Sequence, residues 1–179
     1  MKHKVSARKL SDILFEISKE KNLLDEVNKS VVELNRVLKI NRDLRSFLQS
    51  KRYSRDEKFG ILRETFGSSI NEVVLFVSSY VSGVKAIDII GQIRKNFIEK
   101  YKNEKNIVSV HATLSSAISD KDIVAMQKQL SQNLKKDADL TVEVDKSLIG
   151  GAKFRIENKF LDASVKSQLK NIKLDLMKV

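Results

Sequence analysis

The 179-residue sequence has no cysteine, no proline and no tryptophan, and only six glycines and two histidines. Without cysteine it can form neither disulfides nor thiolate metal sites. No apolar run comes near the roughly 18 residues that a membrane span needs, so insertion into a bilayer is excluded. Lys2, Lys4, Arg8 and Lys9 open the chain, but Asp12 and Glu16 soon follow and no signal-peptide core appears. No cleavable targeting segment is expected. Scarce glycine and absent proline, beside abundant Lys, Asn, Ile and Ser, fit the composition of an AT-rich genome.

What is present is enough to fold. At 41% hydrophobic and 32% charged residues the chain can bury a core, and its length allows one large or two small domains. The formal charge is +11, and basic chains often bind nucleic acid or anionic surfaces. Here the excess is spread along the chain: 21 basic against 14 acidic residues through Glu104, and 13 against 9 beyond it. Acids interleave with bases throughout, which favours a solvated basic surface. A nucleic-acid-binding protein is the alternative reading. Steep salt dependence of binding would mark it, but the sequence offers no aromatic-basic motif and no recognition-helix pattern.

The first hundred residues read as helices. Leu10, Ile13, Leu14 and Ile17 follow the 3.6-residue period, predicting an amphipathic helix from about Val5 to Glu20. Leu24, Val27, Val31, Leu34 and Leu38 form the stripe of a second, and Leu44, Phe47 and Leu48 mark a short third. Ser54-Arg-Asp-Glu57 is a capping box opening a fourth, with Phe59, Leu62 and Phe66 inside and Gly67 as its stop. Ser69 and Glu72 have the same spacing and predict the start of a fifth. That helix carries Val73, Val74, Phe76, Val77, Tyr80 and Val81 and ends near Gly83. A sixth, from about Lys85 to Lys102, presents Ile87, Ile90, Phe97 and Tyr101.

Lys102-Asn-Glu-Lys-Asn106 is polar and aperiodic, so it reads as a domain boundary. Ile107 to Thr113 alternates as a strand, with Leu114-Ser115 as a connection, and Ser119 with Asp122 caps a helix through Ile123, Met126, Leu130 and Leu134. Val142 and Val144 give one apolar strand face, Asp145-Lys-Ser147 a turn, and Gly150-Gly151 positive φ or close backbone approach. Phe154 and Ile156 belong to a second strand, turned back at Glu157-Asn158 into a short third from Lys159 to Leu161. Asp162 and Ser164 are caps for a final helix with Val165, Leu169, Ile172 and Leu176 on one face. The expected class is mainly α with a smaller α+β part. An N-terminal six-helix bundle (1–104) precedes a C-terminal domain of about four strands and two helices (105–179).

No catalytic constellation emerges. His3 and His111 are too far apart for a metal-ligand spacing, and a lone strand histidine is more often a surface or packed residue than a base. Gly150-Gly151 is neither a dinucleotide fingerprint nor a P-loop, since a strand follows it. Asp162 and Ser164 lack the histidine that would complete a triad. No cofactor is expected, which leaves binding.

Val144-Asp-Lys-Ser-Leu-Ile-Gly-Gly151, followed by Asp162-Ala-Ser-Val-Lys-Ser-Gln-Leu169, resembles the C-terminal signature of the delta subunit family of F-type ATP synthases. The mitochondrial homologue is the oligomycin-sensitivity-conferring protein. Asp145, Ser147, Gly150, Gly151, Asp162 and Ser164 fall on signature positions, and Ala163 stands where glycine is usual. Ala7-Arg8-x-Leu10 with Ile13-Leu14-Phe15, Leu44-Arg-Ser-Phe-Leu48 with Glu57-Lys58, and Val108-Ser-Val-His-Ala112 are similar to the family's earlier motifs. The chain departs from the family at a missing proline before Glu57 and at Gly83-Val-Lys-Ala86, where an acidic-Asn-x-Arg run is usual.

The resemblance implies a non-catalytic stator subunit, one copy per complex, peripheral at the cytoplasmic face of the bacterial inner membrane. It implies that the first and fifth helices hold the N-terminal helix of one alpha subunit. On this chain that points to Leu10, Ile13, Leu14, Ile17, Val73, Phe76, Val77 and Tyr80, all of which could equally be core. It further implies that the second domain meets the b subunits of the peripheral stalk, with Phe160, Val165 and Leu169 as contact candidates. Neither nucleic acid nor a membrane is an expected partner.

Overall fold

The computed structural model describes residues 6–177; the expectations that involve Lys2, His3, Lys4 and Val5 lie outside them. The chain is mainly helical with one four-stranded mixed sheet, and it divides into two compact units, Met1–Tyr101 and Lys102–Val179.

In the first unit α1 (Ala7–Glu20) starts at Ser6, whose side chain accepts the Arg8 N–H, and buries Leu10 and Leu14. In α2 (Leu24–Ile40) Val27, Val31, Leu34 and Leu38 are buried at helical spacing. The short α3 (Arg42–Gln49) is capped by Asn41 and contributes Leu48. The capping box of α4 (Arg55–Phe66) is complete: Ser54 Oγ accepts from Glu57 N, and the Glu57 carboxylate accepts from Ser54 N at 2.7 Å. Those bonds hold the Glu57 carboxyl below its usual range. Gly67 ends the helix at φ +50°.

Two expectations are corrected at α5 (Glu72–Ser79). Its N-cap is Asn71, not Ser69. The Asn71 side chain accepts from Val73 N and donates to Glu26, while Asn71 N donates to Ser30 Oγ. Ile70 is buried just before it, so tertiary anchoring rather than local spacing sets the helix start. The helix also ends early, at Ser79 with Tyr80 as C-cap, not near Gly83. Beyond it, Val81 O accepts from Lys58 Nζ and Gly83 N donates to Gln49 O, which draws the chain out of the helix. The following α6 (Ala86–Glu104) takes in Lys102, Asn103 and Glu104, so part of the expected boundary stretch is helical.

Lys58 is the largest fully buried side chain of the unit. Its ammonium donates to Leu48 O (2.8 Å), Ser82 Oγ (2.9 Å) and Val81 O (3.3 Å). Three acceptors substitute for water, yet burial still pushes the lysine pKa down. In the same unit Leu14, Leu34, Leu38, Leu62, Leu75 and Phe97 belong to an almost fully buried core. Burial contributes about 1.5–3 kcal/mol for each such side chain before chain entropy is subtracted.

The second unit is built on β1 (Ile107–Leu114), whose Val108, Val110, Ala112 and Leu114 are buried while His111 is exposed on the other face. After α7 (Asp120–Leu134), capped by Ser119, the chain returns as β2 (Asp137–Val144), parallel to β1. The strand starts earlier than Thr141 because the Ile107↔Asp137 register pairs β2 with the full length of β1. Then β3 (Gly151–Ile156) and β4 (Lys159–Ser164) add antiparallel, giving the order β2-β1-β3-β4. A last helix, α8 (Val165–Leu176), follows β4 without a break.

Candidate partner-binding surfaces

The six signature residues meet at one corner of the second unit. Asp145 Oδ1 accepts from Ser147 N and Asp162 Oδ1 from Ser164 N, each at 2.9 Å, so the same aspartate turn is used twice. Hydrogen bonds from Ser147 and Ser164, with Lys153 nearby, hold both carboxyls below the usual range. Ser164 Oγ then accepts from Ser167 N and caps α8, and Gly150 O accepts from Val165 N. Asp162 itself lies in β4. It orients the capping serine and is not a helix cap, which corrects the sequence reading. Gly151 has φ +82° and almost touches the β4 backbone. The corner fixes where α8 begins, and it holds no arrangement for chemistry.

On the first unit α1 packs against α5. Of the eight residues assigned to helix binding, Leu10, Leu14 and Val77 are core side chains. Ile17 and Val73 are half-buried, whereas Ile13, Phe76 and Tyr80 are 47%, 39% and 38% exposed. Leu75, absent from the sequence-based assignment, is the fully buried residue of α5. Phe76 stacks edge-on against Tyr80 (5.2 Å between centroids) and Phe59 (5.7 Å). Arg55 leans on this aromatic ledge: its Cζ lies 4.9 Å from the Tyr80 ring centre and 5.9 Å from that of Phe76. Sequence reasoning missed Arg55, because its position in the first turn of α4 carries no local signal of a partner 25 residues away.

On the second unit the stalk candidates Phe160, Val165 and Leu169 are 79%, 37% and 60% exposed. Ile172 and Leu176 continue the uncovered face of α8, and Leu161 and Ile149 are exposed nearby in sequence. An amphipathic helix that leaves its apolar side uncovered is a candidate contact surface. His111 sits in register between Thr141 and Arg155, with no carboxylate opposite it. Among the described residues no cluster of metal-ligating side chains occurs, and no helix is long and apolar enough to cross a membrane.

Residues 7–176 match the family model described as the ATP synthase delta (OSCP) subunit. The chain is 28% identical over 180 residues to proteins named ATP synthase subunit delta from Bacillus thuringiensis (strain Al Hakam), Bacillus cereus (strain AH820) and Bacillus anthracis. Each comparison covers 99% of this chain and 99% of the relative. The fold is similar to a chain in the cryo-EM structure of the Toxoplasma gondii mitochondrial ATP synthase hexamer, with a TM-score of 0.64 and 19% identity. That likeness covers 97% of this chain and 98% of the other.

Proposed function

Because the chain belongs to the ATP synthase delta (OSCP) subunit family, a non-catalytic component of the stator, we propose that it joins the catalytic head to the peripheral stalk. In this reading the first unit is a six-helix bundle that holds the N-terminal helix of one alpha subunit along α1 and α5. The second unit takes the ends of the b subunits on β4 and α8. One copy serves each complex, at the cytoplasmic face of the bacterial inner membrane and attached through its partners alone.

The observation that supports it is the occurrence of two uncovered apolar surfaces, one on each compact unit. A helix laid on α1 and α5 would bury Ile13, Phe76 and Tyr80 beside the half-buried Ile17 and Val73. A nanomolar contact corresponds to about 12 kcal/mol, within reach of such a helix anchored on aromatic side chains. The task is mechanical. Torque from the rotor acts on the catalytic hexamer, and a stator that slipped would let the hexamer co-rotate and uncouple synthesis from proton flow. Affinity and stiffness are what such a link supplies.

The test is titration of the full chain with a peptide of its own organism's alpha-subunit N-terminus, at low and at physiological salt. One-to-one binding that survives salt and falls on Ile13→Asp or Tyr80→Ala is the expected result. Absence of binding overturns the α1–α5 assignment. Binding that disappears at physiological salt points instead to a polyanion surface.

A further inference from the structure

We infer that Arg55 makes the α1–α5 surface selective for a helix that carries a carboxylate beside its apolar anchors. The inference rests on the helix-binding reading and specifies which helix fits. A guanidinium has five N–H donors in one plane. Arg55 directs Nε and Nη2 to Asp56 Oδ1, at 3.1 and 3.0 Å, and Nη1 to Tyr80 OH, at 2.9 Å. One N–H on each terminal nitrogen is left over for a further acceptor, such as a carboxylate. The Arg55 side chain is 47% exposed and stands over the rings of Phe76 in α5 and of Tyr80, its C-cap.

The acidic groups of α1 and α5 that flank the ledge are already paired with bases, so they do not stand against a carboxylate brought to Arg55. Glu72, at the start of α5, is ion-paired with Arg63, and Asp12 on α1 is ion-paired with Lys100. Asp56, the neighbour that holds Arg55, is 82% exposed. An exposed ion pair of this kind is weak, so an incoming carboxylate can share or replace it. Docking would exclude water from Phe76 and Tyr80, strengthening both the cation–ring contact and the new ion pair. A simple tie between α4 and α5 would be met by the bond to Tyr80 OH alone. The two remaining donors at the edge of an apolar ledge are the feature that points to a ligand.

The experiment is a double-mutant cycle between the full chain and the alpha-subunit N-terminal peptide. Each Glu or Asp of the peptide is changed in turn to Gln or Asn, and every peptide is titrated against wild type, Arg55→Gln and Arg55→Lys. Arg55→Gln is expected to weaken the unmodified peptide about tenfold, and Arg55→Lys less, since it keeps the charge without the guanidinium. One acidic position should cost wild type a similar factor and cost Arg55→Gln almost nothing. If every acidic position costs both proteins equally while wild type still binds, the selectivity is overturned and the helix-binding reading stands. Tight binding of a peptide with no acidic residue has the same meaning. If wild type binds no peptide, both fall.

Discussion

Gly151 lies so close to Ala163 that a Cβ at Gly151 would sit 2.5 Å from the Ala163 carbonyl oxygen, with Ser164 Cα at 2.9 Å and Val165 N at 3.2 Å. These are backbone atoms of β4 and the start of α8, so they cannot rotate away. The φ of +82° adds a conformation that L side chains rarely adopt. The second signature glycine is therefore required twice over, by torsion and by approach. Gly151→Ala is expected to destabilise the second unit by about 3 kcal/mol or more. Hydrogen exchange should show faster exchange at β3 and β4, with the amides of α1–α6 as an internal reference. Gly150→Ala meets only Val165 Cγ2, at 3.1 Å, a side chain that can shift. Its cost should stay below about 1 kcal/mol.

Lys58→Met tests the buried ammonium. The methionine fills much of the same space but leaves the carbonyls of Leu48 and Val81 without that donor, which should cost about 2 kcal/mol in chemical denaturation. The pH dependence has a definite sign. Burial lowers the lysine pKa in the fold, so the unfolded chain binds this proton more tightly. The contribution of Lys58 therefore grows as pH rises toward the ordinary lysine value of about 10.4 and is lost as pH falls through the folded value. The stability difference between wild type and Lys58→Met should widen over that rise. A constant difference would contradict the buried charge.

Asp162→Asn separates the turn from its charge. The asparagine oxygen can still accept from Ser164 N, so the corner should persist at neutral pH. Asp162 and Asp145 are both held below their usual pKa by hydrogen bonds, so each contributes stability that is lost as pH falls through its lowered folded value. Circular dichroism during acid titration should show less loss below about pH 4 in Asp162→Asn than in wild type.

What the sequence made legible was whatever depends on near neighbours. The capping box at Ser54–Glu57, the stop at Gly67 and the cap at Ser119 are fixed by spacings of three residues or by one glycine, and the structure uses all of them. Ser69–Glu72 has the same spacing and fails, because Asn71 is held by Ser30 and Glu26 from α2, which no local pattern encodes. The same holds for the end of α5. Its apolar run continues to Val81, but Lys58 and Gln49 capture the backbone beyond Tyr80. Periodicity identified the apolar stripes of α1 and α5 without dividing core from surface. That division follows from which neighbours pack on each residue: Leu14 and Val77 are inside, while Ile13 and Phe76 are one position away and outside. Arg55 belongs to the same category, since its two rings come from another helix.

The uncovered apolar residues of α8 and β4 give the last prediction. Leu169 is 60% and Phe160 79% exposed, so each buries little in the isolated chain. Replacing either by aspartate removes little packing, and Leu169→Asp and Phe160→Asp should leave the unfolding midpoint within the narrow range of surface substitutions, about 0.5 kcal/mol. The same changes would place a charge in the middle of an apolar contact. Binding of a C-terminal b-subunit fragment should then weaken at least tenfold, because an unpaired charge is desolvated when the surfaces meet. Titration with the alpha-subunit peptide on the same variants supplies the control, as the surface proposed for it lies on the other unit and should be unaffected. Unfolding at lower temperature would show that the face supports the fold. Unchanged b-subunit binding by stable variants would move the stalk contact off β4 and α8.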